Sequence, residues 1–480
     1  MLFNSIQFAI FFPVVVGIYF LIPKRFRWLF LLVASYFFYI NLKAKYALIL
    51  AFITLINYSS GLLIEKNNKL YIRKIYLVIS LALSLAPLFF FKYLNFFNYN
   101  IWTLFQSGNL NYSTFNFIIP VGISFYTFIA IGYSIDVYRG SRNAEKNLGY
   151  FALYVSFFPQ LLAGPIAKSN SLLPQFHSFP DFDYKRIADG LKLMAWGFFK
   201  KLIIADRLAI IVNEVYASPS QYHGFPLIIT TYFYAFQVYC DFSGYSNIAI
   251  GAAKILGFEL DINFNQPYMS RNITEFWRRW HITLGNWIRD YVYTPLSFST
   301  RNLGMLGIYF SLIITFILVG LWHGAGWTYI AFGLLHGLAL AFEAMTRKFR
   351  KKISKKINSG LYNFISIFIT FNYVVLSYIF FRANTFDNAL QILKNIFDFH
   401  LSQINTHLFA DFGVGPAELF LSIFFIIILE IFHFIQRQHI ISSYISSKPA
   451  WLRWGIYYSL ILVIVYFGMF NKSNFIYFYF

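Results

Sequence analysis

The sequence predicts an all-α, polytopic integral membrane protein, and three observations carry that reading. Of its 480 residues 58% are hydrophobic and only 12% charged, against about 25% charged in an ordinary soluble domain. Apolar stretches of roughly 20 residues, the length that crosses a hydrocarbon core, recur along almost the whole chain. Lys and Arg gather in short runs between those stretches: Lys24, Arg25 and Arg27, then Lys66, Lys69, Arg73 and Lys74, and above all TRKFRKKISKK from Thr346 to Lys356.

Taken in order, apolar segments fall near 5–22, 28–44, 46–64, 75–93, 117–135, 190–212, 225–255, 305–321, 327–345, 361–381, 416–436 and 455–475. They amount to about eleven or twelve spans within a single membrane domain covering 1–480. The first segment contains Pro13 and lacks a basic start and a small-residue cleavage site, so it reads as a retained helix. The basic loop after it belongs in the cytoplasm and puts the N-terminus outside. Between Tyr150 and Phe176 the residues Pro159, Gly164, Pro165 and Pro174 interrupt an apolar run. Proline removes a backbone donor, and broken backbone at membrane depth is tolerated only inside protein or beside a water-filled cavity. The stretch from Asp241 to Leu296 is too polar to face lipid. Both stretches are expected to line an internal cavity.

The net charge of +20, from 39 basic and 19 acidic residues, is accounted for by loop topology and does not call for a nucleic-acid partner. Cys240 is the sole cysteine. That excludes an intrachain disulfide and a cysteine metal cluster and leaves a small buried hydrophobe.

Two constellations carry chemistry. Asn272-Ile-Thr-Glu275 has the form of a capping box and predicts a helix from about Ile273. On a continuous helix Trp277, His281, Leu284 and Ile288 share one face, while Arg278, Arg279, Ile282 and Arg289 fall away from it. Glu275 and Arg279 have the spacing of an ion pair. A cationic amphipathic helix suits a membrane interface; the same arginines suit a phosphate-bearing donor such as coenzyme A. The second constellation, LWHGAGWTYIAFGLLHG from Leu321 to Gly337, puts His323 and His336 at membrane depth, where ionisable groups are costly enough to be functional candidates. Gly324, Gly326 and Gly333 permit close backbone approach from the side. Packing within an apolar helix is the alternative for either histidine. A neutral buried imidazole can take the proton of an attacking hydroxyl, help that contributes about 10²- to 10⁴-fold. The two histidines lack the HExxH spacing and have no adjacent cysteine or carboxylate, so no metal is expected.

The strings PVGISFYTF (Pro120 to Phe128), SFFPQLLAGPI (Ser156 to Ile166), DFSGYSNIAIG (Asp241 to Gly251), NFNQPYMSRNITEFWRRWHITLGNWIRDYVYTPL (Asn263 to Leu296), the WHG block and FFRA (Phe380 to Ala383) together resemble the membrane-bound O-acyltransferases, and among them the bacterial alginate O-acetylation proteins. They follow family order through a core at about 117–383, leaving peripheral helices at 1–116 and 384–480. Where relatives carry a Gly-Gly-Asn-Arg stretch, this chain reads SFSTRN from Ser297 to Asn302. The resemblance implies re-entrant or broken helices around a central tunnel, His323 as the catalytic residue and His281 as the second signature position. It also implies a cytoplasmic acyl donor and an extracytoplasmic esterase-like partner.

The expected function is transfer of an acyl group, acetyl first, from a cytoplasmic thioester towards a hydroxyl of a cell-surface polysaccharide, from the inner membrane. The donor is acetyl-CoA or an acyl-carrier-protein thioester, with no permanently bound cofactor. His323 is the expected general base and His281 positions or polarises the thioester. Arg278, Arg279 and Arg289 meet donor phosphates or a carrier surface, and Asp241, Ser243, Tyr245, Asn286 and His336 orient the site. The rivals are a D-alanyl or lipid acyltransferase of the same superfamily and, in another class, a transporter or flippase for lipid-linked glycan. A transporter would be expected to show internal repeats or paired intramembrane carboxylates, and neither is visible.

Overall fold

The structure is a computed structural model that describes residues 1–105, 115, 117–399, 414–438, 447–470 and 475–476. Helices make up its regular structure, and no strand occurs among the described residues. The chain divides into two compact units, one of Met1–Met194 with Ile248–Ile262 and one of Ala195–Asn247 with Asn263–Tyr479.

In the first unit α1 (Ile6–Leu21), α2 (Lys24–Ile40), α3 (Ala44–Lys66) and α4 (Leu70–Leu88) follow one another through short connections, with Lys24, Arg25 and Arg27 at the start of α2 and not in a loop before it, and α4 runs through a π-helical turn at Phe89–Tyr93 into α5 (Leu94–Phe105). Next come α6 (Ile123–Arg139), α7 (Leu148–Ser156), α8 (Phe158–Leu161) and α9 (Ser169–Leu172). The expected break between Tyr150 and Phe176 is present: α7 stops at Ser156, α8 is a single turn holding Pro159, and no α-helix forms from 162 to 168. Protein groups satisfy the interrupted backbone. Ser35 Oγ accepts the Phe158 amide at 3.1 Å, and Gln160 Nε2 donates to the Tyr154 carbonyl at 2.6 Å. Gly122, at φ +81°, lets this loop close in: a Cβ there would lie 2.6 Å from the Leu161 carbonyl oxygen.

The second unit contains the end of α10 (Tyr184–Phe198), a π-helical segment at Phe199–Ala205, α11 (Asp206–Ala217) and most of α12 (Phe225–Leu256). Three short helices follow, α13 (Ile273–Arg279), α14 (Ile282–Ile288) and α15 (Thr294–Ser299). The hairpin of α16 (Met305–His323) and α17 (Trp327–Met345) leads through α18 (Arg347–Ser354) to α19 (Ser359–Arg382), α20 (Phe386–Ile396), α21 (Pro416–Gln438) and α22 (Ala450–Phe467).

Seven helical stretches among the described residues are long and apolar enough to cross a membrane: α3, the run from α4 to Phe105, α16, α17, α19, α21 and α22. Other segments expected to span are shorter, as in α1, α2 and α6, or carry buried polar groups, as α12 does with Thr230, Thr231, Asp241, Ser243 and Ser246. Of these, α6 is largely buried, whereas α1 and α2 still expose apolar side chains such as Ile6, Ile10, Val33 and Phe37. The protein is an all-α, multi-pass membrane protein.

Candidate active site

Asn272 caps α13 as the sequence predicts, its side chain accepting the Glu275 amide at 2.8 Å. The Glu275 carboxylate turns to Arg271 and Arg279, the latter at 2.8 Å, so the expected i, i+4 pair forms. A second cap comes from α17: the Glu343 carboxylate accepts the Ile273 amide at 2.6 Å and the Thr274 amide at 3.0 Å. Carboxylates are favoured at a helix N-terminus because its first amides lack intrahelical partners.

The continuous helix expected from Ile273 does not form. It ends at Arg279, and His281 sits at φ +44° before α14 begins at Ile282. Left-handed backbone at a non-glycine residue is uncommon and strained. Backbone bonds to the 263–265 segment hold it: the Asn265 amide to the Arg279 carbonyl at 2.9 Å, and the Ile282 amide to the Asn263 carbonyl at 2.9 Å. The break takes His281 off the expected face shared with Trp277 and turns it inward, fully buried.

Asn263 fixes the ring. Its Oδ1 accepts from the Thr283 amide at 3.3 Å and from Thr283 Oγ1 at 2.9 Å, and lies 3.0 Å from His281 Nδ1. An oxygen that takes the Thr283 amide proton is an acceptor, so His281 Nδ1 carries the hydrogen and Nε2 is the acceptor atom of the ring. Asn263 Nδ2 donates to Ser246 Oγ at 3.2 Å. Burial pushes the His281 pKa down to about 3, so the imidazole is neutral at ordinary pH.

His323 is the last residue of α16, buried, with its ring among Trp322, Phe332 and Phe381 at centroid distances of 4.9, 6.1 and 5.0 Å. The Trp322 indole also lies 5.9 Å from the His281 ring. Two buried histidines, 42 positions apart in sequence, thus pack against one indole.

Of the glycines in the second constellation, Gly324 meets the Tyr329 ring and Gly333 the backbone of α16, and Gly320, just before the constellation, makes a matching backbone approach. A Cβ at Gly320 would lie 2.1 Å from the Tyr329 carbonyl oxygen, and one at Gly333 would lie 2.2 Å from that of Phe316. The backbone that approaches so closely is that of the hairpin itself. Small residues allow such contact between membrane helices, and here it sets the end of α16 and therefore His323.

His336 is held differently. Trp277 Nε1 donates to its Nδ1 at 3.2 Å, and its Nε2 lies 3.0 Å from Ser377 Oγ, whose own hydrogen goes to the Val374 carbonyl at 2.7 Å. Both ring nitrogens have protein partners. Phe332 lies between the two histidines of the hairpin, 6.1 Å from His323 and 4.6 Å from His336.

Asp241 and Ser243 are committed elsewhere in this unit. Asp241 pairs with Lys201 at 2.5 Å and accepts the Ile476 amide at 2.8 Å; Lys201 also reaches Asp206 at 2.8 Å, and Lys200 donates to Ser243 at 2.9 Å. Tyr245 packs edge-on against Phe475 at 4.4 Å. Asp241 balances the Lys201 ammonium within the apolar 190–212 stretch, because a buried charge requires a partner, and Ser243 accepts a hydrogen bond from Lys200. The same motif does touch the site through Ser246 and through Phe242, whose ring meets His281 edge-on at 4.6 Å. Asn286 lies half-buried on α14. Arg278 is exposed, Arg279 is tied to Glu275, and the exposed Arg289 pairs with Asp290 at 2.8 Å. Cys240 is buried, as expected. No cluster of three or more potential metal ligands occurs among the described residues.

The chain is similar to known proteins over most of its length. The profile of the membrane-bound O-acyltransferase family matches residues 145–382. The chain is similar to the probable alginate O-acetylase AlgI of Pseudomonas aeruginosa, with 37% identity over 426 residues, 87% of this chain and 80% of that protein. It is similar to the peptidoglycan O-acetyltransferase of Helicobacter pylori at 37% over 406 residues, 78% and 74% of the two chains. The teichoic acid D-alanyltransferase of Streptococcus thermophilus is 31% identical over 294 residues, 56% of this chain and 69% of its own. With identity at this level across most of its length, the chain belongs to the membrane-bound O-acyltransferase family and is a multi-pass O-acyltransferase.

Proposed function

We propose that this enzyme takes an acetyl group from a thioester on the cytoplasmic side of the inner membrane and delivers it for O-acetylation of a cell-surface or exported polysaccharide. The donor is acetyl-CoA or a carrier-protein thioester, and an extracytoplasmic esterase-like protein receives the acyl group on its way to the glycan. The observation that supports the chemistry is that His281 and His323, both buried, pack against the same indole, Trp322, at ring-centroid distances of 5.9 and 4.9 Å. His323 acts as general base. As the acceptor oxygen attacks the thioester carbonyl, the new C–O bond forms, the C–S bond breaks, and the hydroxyl proton passes to the imidazole and on to the leaving thiolate. His281, with its tautomer set by Asn263, positions the carbonyl. Arg278, Arg279 and Arg289 meet the donor's anionic portion.

Acetyl is favoured over D-alanyl because similarity to the two O-acetylating relatives is higher and covers 78% and 87% of the chain, against 56% for the D-alanyltransferase. The test is sided. Membrane vesicles in both orientations, supplied with radiolabelled acetyl-CoA, should load acetyl only when the cytoplasmic face is outward. Loading from the other face, or loading by a D-alanyl carrier thioester alone, would overturn the reading.

A further inference from the structure

The 13-residue connection between α17 and α19, residues 346–358, is densely cationic. Arg347, Lys348, Lys351, Lys352, Lys355 and Lys356 are all exposed, and no acidic residue occurs between Glu343 and Asp387. At about 100° per residue, Arg347, Lys351, Lys348 and Lys352 occupy one arc of α18, continued by Lys355 just past its end, while Phe349 and Ile353 lie together on the opposite side. Phe349 is 64% exposed, so the described chain leaves most of it uncovered. Both flanking helices are spans, which holds α18 at a membrane surface.

We propose that α18 is a binding site for anionic phospholipid headgroups, with Phe349 entering the acyl boundary and the lysine arc collecting phosphates. An acidic protein would satisfy the cations but would leave the open phenylalanine in water; an anionic lipid surface satisfies both. The site is coupled to the catalytic segment. Arg350 donates to the Glu343 carbonyl at 2.7 Å and to Thr346 Oγ1 at 3.2 Å. The Glu343 carboxylate in turn caps α13, the helix that leads into the His281 break. Lipid that seats α18 therefore steadies α13 and raises the transfer rate.

The experiment places a reporter on the apolar side. Cys240 is buried, so in the purified full-length Phe349→Cys protein a thiol-reactive fluorophore reports position 349. The protein is reconstituted into phosphatidylcholine vesicles and into phosphatidylcholine/phosphatidylglycerol vesicles, each with brominated acyl chains. Quenching should be stronger with phosphatidylglycerol. It should fall to the phosphatidylcholine level at about 1 M salt, where the screening length is about 3 Å, and in a Lys348→Gln/Lys351→Gln/Lys352→Gln variant, each lost charge weakening headgroup enrichment roughly fivefold. Unlabelled wild-type enzyme should turn over faster with phosphatidylglycerol, and the triple variant should keep the phosphatidylcholine rate without that gain. Equal quenching in both lipids would overturn the proposal. So would a phosphatidylglycerol response retained by the triple variant, or a shift of the label in pure phosphatidylcholine on adding inorganic phosphate or an acidic carrier protein, either of which assigns the surface to a soluble anion. The quenching arm needs no acyl transfer and stands apart from the choice of donor.

Discussion

Replacing Asn263 by Leu removes the oxygen that organises the buried side of the site. The substitution keeps the approximate shape while taking away the acceptor for His281 Nδ1, the Thr283 amide and Thr283 Oγ1, as well as the donor to Ser246. Leaving a buried donor unmet costs about 1 to 3 kcal/mol. The Thr283 hydroxyl can rotate to another acceptor, so the ring N–H and the amide set the loss at about 2 to 6 kcal/mol, concentrated at the strained turn of His281. Freed from Asn263, the imidazole no longer has a single tautomer, and Nε2 ceases to be the fixed acceptor. Mispositioning a group at a reacting centre costs on the order of 10²-fold. Asn263→Asp keeps an acceptor in place and should retain more activity than Asn263→Leu, with a raised His281 pKa from the added carboxylate. The assay is kcat for acetyl transfer at equal amounts of folded, detergent-extracted protein, with the pH profile for the Asp variant. A folded Asn263→Leu enzyme with wild-type kcat would refute the role given to this oxygen.

Gly333→Ala should lower folded abundance sharply, since the added methyl would lie 2.2 Å from the Phe316 carbonyl oxygen; a hairpin that tolerates it, judged by thermal aggregation, would contradict the close α16–α17 contact. Arg279→Glu should raise KM for the donor several-fold more than it lowers kcat, while unchanged donor affinity would leave this arginine only its pairing with Glu275. For His281, the folded pKa of about 3 lies below the unfolded value of about 6.5. Between those limits the unfolded chain binds more protons, so stability contributed by the neutral ring is present above about 6.5 and falls as pH drops towards 3. His281→Gln should flatten that part of a pH-dependent thermal-stability curve, and a curve of unchanged slope would remove His281 from the linkage.

What the sequence made legible was whatever local chemistry dictates. The Pro159, Gly164 and Pro165 break, the Asn272 cap and the Glu275–Arg279 pair all depend on residues a few positions apart, and all are present. The kink at His281 was not legible, because its causes are non-local: a left-handed histidine is stabilised by backbone bonds to Asn263 and Asn265, well back along the chain. Gly324, Gly326 and Gly333 announced a close approach, but only the folded hairpin shows that the neighbour is the Tyr329 ring at Gly324 and the hairpin's own backbone at Gly333. Asp241 read in isolation as a residue that orients the site. The signal that would have placed it was Lys200 and Lys201 standing inside an apolar stretch, two buried charges in want of partners. Asn263 and Ser246 lay within recognised motifs, yet nothing in their spacing marks them as the pair behind His281.

The central claim is that His323 is the general base while His336 is held by Trp277 and Ser377 as part of the packing. The direct measurement is acetyl transfer by His323→Ala and His336→Ala, compared at equal folded, membrane-inserted protein. His323→Ala should lose about 10²- to 10⁴-fold in rate, roughly 3 to 5 kcal/mol of transition-state stabilisation, whereas His336→Ala should show lower abundance and keep most of its specific activity. Near-normal transfer by His323→Ala would contradict the account, and an equal rate loss in both variants would replace the single base with a role shared by the two histidines.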